Sequence, residues 1–334
     1  MKRIIWIDVA KAIGIILVVI GHALTPKTYI HRIIYQFHMP LFFMISGYLF
    51  NESKINKLTF LKKVKSLYVP YISVNLIAII LLSFNTLNIK KIILVLLMVE
   101  KHDIFGATWF LASLFYISIM MYIIYSILIS LKLEKNNYIY IIIIILFTML
   151  GFLIPVKSHH IFVTLLGMAY YISGYLLKKI NFIDKIINLK ISKKIFIIII
   201  CFILLIIISP KNYVSFSKGI YASPVLTLIS SISGCLLVII ISKLLSKNMF
   251  LNYIGKRSID IMIWHFVAFK IVTLIQISIY KLDFSILKFH PYYDNSKIWV
   301  YVLIIFGIFI PLFISYIKEK LLLFIKKKVK PNEI

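Results

Sequence analysis

What most constrains this chain is a succession of apolar runs, each long enough to cross a lipid bilayer as a helix. A hydrocarbon core about 30 Å thick needs about 20 helical residues. Runs such as Tyr138 to Pro155 and Ile195 to Ile208 follow closely on one another, and a soluble protein has no interior that could hide them all. Composition agrees: 62% of the 334 residues are hydrophobic, against roughly 45–50% in soluble domains. The length rule places ten spans at 5–24, 33–51, 66–84, 109–131, 138–155, 161–178, 194–209, 220–243, 258–280 and 298–318. The expected fold class is therefore all-α, a polytopic membrane helix bundle forming one integral domain over 1–334. The run Lys90 to Glu100 is too short to span and reads as interfacial or re-entrant, packed against protein where its backbone leaves the helix.

The net charge of +27 would suggest nucleic acid in a soluble protein. Here the charges lie in short loops between apolar segments, and membrane orientation accounts for them better. One alternate set of loops and termini carries more than twice as many Lys and Arg as the other. Positively charged loops stay in the cytoplasm, so both termini are expected there, which requires an even number of spans. The expected partner is membrane lipid, and not nucleic acid. Asp8 and Lys11 argue that the first apolar run is a retained helix, not a secretory signal. Cys201 and Cys235 stand alone in apolar segments, which points to neither a disulfide framework nor a metal cluster.

An ionisable residue inside a span costs about 2.5 kcal/mol or more, so it needs a partner or a function. The first span carries three such groups: Asp8, Lys11 and His22. The eleven-residue step from Lys11 to His22 is three turns plus about 20°, with a rise of about 16 Å. The two share a face. Asp8, three residues before Lys11, can pair with it. A neutral imidazole can take a proton from a hydroxyl, as a general base does in acyl transfer to a sugar. The plainer alternative is a histidine at the interface beside a structural Lys–Asp pair.

In the second span His38 falls at a depth similar to His22, two residues before Pro40, which can kink the helix. Ser46 and Gly47 permit close helix packing. Two histidines on one cavity would suit acceptor binding, while the Phe and Ser–Gly residues read equally as packing. The cluster Lys62, Lys63 and Lys65 leads into Pro70–Tyr71. It can hold the phosphates of a donor such as coenzyme A, bind anionic lipid or simply set topology. His102–Asp103, His159–His160 and His290 fall in outer loops with no metal-site spacing, and solvated loop residues are the default reading. Trp109 opens its span where interfacial aromatics sit. Asp260, His265 and Lys270 stand five residues apart, about 140° per step, and share no face. Asp260 has Arg257 nearby for a partner. No Walker loop, dinucleotide-binding glycine pattern or Gly-x-Ser-x-Gly elbow occurs.

Taken in order, these segments resemble the membrane acyltransferase-3 family, especially its fucose 4-O-acetylase-like branch. The family's first helix bears Asp, then Arg or Lys, then ten residues and His, which here reads Asp8, Lys11 and His22. Lys11 keeps the charge of the commoner Arg but not its planar fork of donors. The family's Phe-Phe-x-x-Ser-Gly-aromatic run is matched by Phe42 to Tyr48, with His38-Met39-Pro40 before it. Lys62 to Tyr71 looks like its basic stretch leading into Pro-Tyr. Trp109-Phe110-Leu111 resembles its Trp-Phe-Leu, and Gly255-Lys256-Arg257-Ser258 through His265 its Gly-Lys-x-Ser start of a late helix ending in His. The matches concentrate in the first third and near residue 260.

The resemblance implies transfer of an acyl group, usually acetyl from acetyl-CoA or another acyl-CoA acting as co-substrate, to a sugar hydroxyl of a surface polysaccharide or lipid-linked saccharide. No bound cofactor or metal is expected. On this reading His22 is the base, with Asp8 and Lys11 organising the inner half of its face. Lys62, Lys63 and Lys65 contact coenzyme A phosphates, and His38 and Trp109 line the acceptor side. Direct transfer and a covalent acyl intermediate both fit. The expected location is the cell membrane, and Ile- and Lys-rich usage is compatible with a bacterium. The rival reading is a transporter or flippase of lipid-linked saccharide, and a third is a structural scaffold that tolerates apolar replacement of Asp8, Lys11 and His22.

Overall fold

A computed structural model describes residues 4–54, 57–82, 88–154, 163–296 and 298–329. The chain is helical almost throughout. In order come α1 Ile5–Ala23, α2 Tyr29–Tyr48, α3 Lys57–Lys63, α4 Val69–Leu82, α5 Ile89–Leu96, α6 Trp109–Ser130 and α7 Asn137–Leu153. Then follow α8 Val163–Lys179, α9 Phe182–Ile187, α10 Ile191–Ile208, a small hairpin of β1 Val214–Ser215 and β2 Ile220–Tyr221, α11 Pro224–Leu244, α12 Met249–Lys256, α13 Ser258–Tyr280 and α14 Ile298–Val329. Helix occupies part of every expected span. Among the described residues seven stretches are both long and apolar enough to cross a membrane; α2 carries His31, Arg32, Gln36 and His38, and α7 and α8 are 17 residues each.

Several boundaries move for local reasons. The third span starts early, because a widened turn at Val64–Tyr68 joins α3 to α4 into one stretch, Leu58–Leu82. The eighth starts late: residues 220–221 belong to the hairpin, and α11 begins only at Pro224. There the Ser223 hydroxyl accepts from the Leu226 N–H, and a proline in the first turn needs no hydrogen-bond partner for its nitrogen. The short run before Glu100 forms α5, eight residues.

α1 is the centre of the bundle, in contact with α2, α11, α12, α13 and α14. α10 is the opposite case. Only Cys201, Leu205 and Ile208 of it are buried, and Phe196 and Phe202 point outward, so lipid is the solvent that makes this helix stable. The α2–α8 contact is close at two glycines. A Cβ on Gly47 would lie 1.7 Å from the Tyr171 carbonyl oxygen, and one on Gly174 would lie 1.9 Å from that of Met44. Each backbone thus occupies the space a side chain would take on the other helix.

Pro40 shows how α2 tolerates its own break. A proline has no N–H, so the carbonyl of Gln36, four residues earlier, loses its helical donor. The Ser231 hydroxyl of α11 donates to that oxygen at 2.7 Å. In lipid an unpaired carbonyl has no water to turn to, so this bond fixes α11 against α2 one turn before the proline.

Candidate active site

His22, near the end of α1, meets His265 of α13. The two Nδ1 and Nε2 atoms involved, His22 Nδ1 and His265 Nε2, lie 3.0 Å apart, and the rings are nearly parallel at 4°. The hydrogen-bond partners decide where the protons sit. His265 Nδ1 is 3.0 Å from the Ile261 carbonyl oxygen, which can only accept, so Nδ1 carries the hydrogen and the neutral ring leaves Nε2 bare. The contact with His22 must then be a bond donated by His22 Nδ1. His22, also neutral, is left with a bare Nε2, the atom a general base needs. His265 fixes the tautomer.

His38 repeats the arrangement. Its Nδ1 donates to the Ile34 carbonyl at 2.9 Å, leaving Nε2 as an acceptor. Tyr35 stands between the two histidines, its ring centroid 4.8 Å from that of His38 and 6.3 Å from that of His22.

Two voids meet at His22. The inner one is narrow and apolar, reaching from His22, His38 and Trp109 past Ile15 to Ser258 and Ile259 in the first turn of α13. The outer one is polar and opens at a mouth lined by Lys101, Asp103, Ser217, Lys218 and His290. It is also the roomier, about 290 Å³ against about 60 Å³ for the centre of a water-sized sphere. His22, Ala107, Trp109 and Ser217 line both.

The rim of the outer void comes from three loops, each tied to the bundle by buried polar side chains. The Asn75 amide donates to Thr108 Oγ1 at 3.1 Å and accepts from the His102 backbone N–H at 2.8 Å, holding loop 101–108. Gln36 and Asn212 exchange bonds of 2.6 and 3.0 Å, and Asn212 also accepts from the Ser223 N–H, which holds loop 209–223. In the third loop the Lys270 ammonium donates to the Leu287 and Phe289 carbonyls, and Gln276 Nε2 donates to the Asp294 carbonyl at 2.8 Å. A buried amide or ammonium without such partners would be costly in this setting, so the loops and the helices specify each other.

The rim also perturbs its own ionisable groups. Partial burial pushes the Lys101 ammonium down, with Asp103 opposing. The His290 imidazole is held below its ordinary range by desolvation and then by the nearby Lys270 charge.

Of the residues singled out in the sequence, His22, His38 and Trp109 converge on one cavity. Trp109 is buried within it and does not sit at a lipid interface. Asp8 and Lys11 do pair, Nζ to Oδ1 at 3.9 Å, but at the far end of α1, where neither lines the cavity. Gly255 presses on that end: a Cβ there would lie 1.8 Å from the Asp8 carbonyl oxygen. Lys62 and Lys65 are exposed on the surface. Lys63 lines a separate pocket of about 170 Å³ with Asn51, Thr59 and Tyr122, within electrostatic reach of Lys11.

Asp103 and His290 are exposed, as expected of loop residues, and also form part of the outer mouth. Two expectations are corrected. Asp260 does not pair with Arg257: it accepts from Lys318 at 3.0 Å and Ser315 at 2.7 Å, while Arg257 pairs with Glu319, because both side chains turn toward α14. His265, whose five-residue spacing from Asp260 and Lys270 indicated nothing, is the partner of His22. Its one sequence signal was its place at the end of the Gly-Lys-x-Ser segment. The pair His159–His160 lies outside the described residues.

Fold and cavity together describe a membrane protein that holds a proton-accepting imidazole inside its helix bundle. A family model described as an acyltransferase domain, of the acyltransferase-3 type, matches residues 4–317. The chain belongs to that family and is a membrane acyltransferase. No curated protein and no solved structure matches it.

Proposed function

We propose that the protein transfers an acyl group, acetyl in the first instance, from acyl-CoA to a sugar hydroxyl of a cell-surface glycan, in a bundle of ten spans with both termini in the cytoplasm. The observation that carries this reading is the bare Nε2 of His22 at the junction of an apolar void and a polar one. The acyl thioester enters through the apolar void, past Ser258. The sugar enters through the outer mouth and lies against Trp109, where the two voids join, its reacting end reaching toward His38 on the inner void. Water is scarce in the first and the hydroxyl is delivered from the second, so transfer to the sugar competes well with hydrolysis.

The chemistry is drawn as direct transfer. His22 Nε2 takes the hydroxyl proton as the sugar oxygen attacks the thioester carbonyl carbon. The new C–O bond forms, the C–S bond breaks, and the departing coenzyme A sulfur takes the proton from the His22 imidazolium. During the step the positive ring is held by its Nδ1–H bond to His265, which acts as a positioning residue. On the inner side Lys63, with Lys62 and Lys65, meets the coenzyme A phosphates, and the Asp8–Lys11 pair keeps the inner half of α1 in register.

The test is mass spectrometry of surface glycans from cells with the intact protein, with His22→Ala, and with none, at equal membrane levels. An alkali-labile mass step of one acyl group, present only with the intact protein, is the expected result. Equal ester content in all three would sink the reading and turn attention to movement of an unmodified lipid-linked saccharide.

A further inference from the structure

Building on the acyltransferase reading above, we infer that the outer mouth selects an acceptor saccharide bearing a carboxylate or phosphate close to the acylated hydroxyl. Lys101 and Lys218 line the mouth against a single carboxylate, Asp103. Neither lysine forms an ion pair within 4.0 Å among the described residues. Lys101 is partly buried whereas Asp103 is exposed, so water screens the carboxylate more than the ammonium. A third cation, Lys270, stands behind His290, its ammonium held by two carbonyls and not by an acid.

These cations meet around one carboxylate, Asp103, which acts on both Lys101 and Lys270. They come from three elements far apart in sequence: the segment before Trp109, the β1–β2 hairpin and α13. The backbone of each is held by the buried anchors described above, which keeps the attachment points of the lysines around the mouth. Topology does not explain them, because on the proposed orientation this is the face on which basic residues are scarce. An incoming anion would add a second counter-charge and supply the acceptor oxygens that the partly buried Lys101 ammonium lacks. Ser217 and His290 lie beside the lysines and can reach sugar hydroxyls. The void here is wide enough for a polar ring and continuous with His22.

Matched acceptors with acetyl-CoA and the purified full chain test the inference. One pair is tetragalacturonate and its uncharged methyl ester; the other is a phosphomannan fragment and its dephosphorylated form. One charged member is expected to be favoured about tenfold in kcat/KM at low salt, a preference that shrinks as salt rises. The pair that shows it identifies the anion as carboxylate or phosphate. In the Lys101→Gln/Lys218→Gln variant the charged-to-uncharged ratio falls toward one, and Lys101→Arg/Lys218→Arg restores it. Lys211→Gln, an exposed change outside the mouth, keeps it. Equal acylation of charged and uncharged forms, or a preference unmoved by the double glutamine variant, would overturn the inference and leave the acyltransferase reading standing. Acetyl-CoA left unconsumed with every acceptor would overturn both.

Discussion

The two ends of α1 carry similar polar groups yet are built for different purposes. At the N-terminal end Asp8 and Lys11 pair across one turn, and α12 closes over them so tightly that Gly255 has no room for a side chain. At the C-terminal end His22 is met by a histidine from another helix, and space is left on two sides of it. A charge in a membrane protein can be neutralised locally and sealed in, or held by a distant partner beside a cavity. The first arrangement stabilises. Only the second presents a reactive atom to something that enters.

That contrast can be broken by substitution. His22→Ala at the open end should lower turnover by about a hundredfold to ten-thousandfold, the usual worth of a general base, with normal membrane insertion. Full activity would mean that the cavity is not where the chemistry occurs. His265→Ala should cost up to about a hundredfold in kcat with KM little changed, because His22 loses its orientation and tautomer but the voids remain. His265→Gln, whose side-chain oxygen can accept the same Nδ1–H, should recover part of that loss, and no recovery would count against a positioning role.

At sealed contacts the expected effects are on stability. Gly47→Val forces a side chain into the Tyr171 carbonyl and should cost about 3 kcal/mol or more, beyond the usual overpacking range of about 1–3 kcal/mol, seen as a lower melting temperature in detergent. Ser231→Ala, which removes the hydroxyl that donates to the Gln36 carbonyl, should cost about 1–3 kcal/mol. The smallest effect is expected from Asp8→Asn at the N-terminal end of α1, about 1 kcal/mol in stability with kcat reduced far less than in His22→Ala. If Asp8→Asn instead matched His22→Ala in kcat, the division between the two ends would be wrong.

Much of this was legible before any coordinates. Apolar runs of membrane length located helix in every expected span, since in lipid a backbone that cannot pair internally has nowhere to go. The eleven-residue step from Lys11 to His22 and the three-residue step from Asp8 to Lys11 are helix geometry, and both hold. The Ser46–Gly47 packing reading also holds, with Tyr171 as the backbone it admits. The misreadings share a cause. Trp109 was placed at an interface and Asp260 with the nearest arginine, because a one-dimensional reading assigns each residue to its neighbours in sequence.

What the sequence determined by itself, then, is the membrane as solvent, the helices that solvent requires and the spacing of polar groups along each one, all of which follow from local periodicity and length. Only the tertiary structure decided that His265 meets His22, 243 residues away, that Ser231 closes the gap left by Pro40, and that two loops and α13 gather lysines around one mouth. These are partnerships between side chains on different helices. They depend on how the helices pack and on each buried polar group finding a partner where water is absent, and no spacing along a single helix records them.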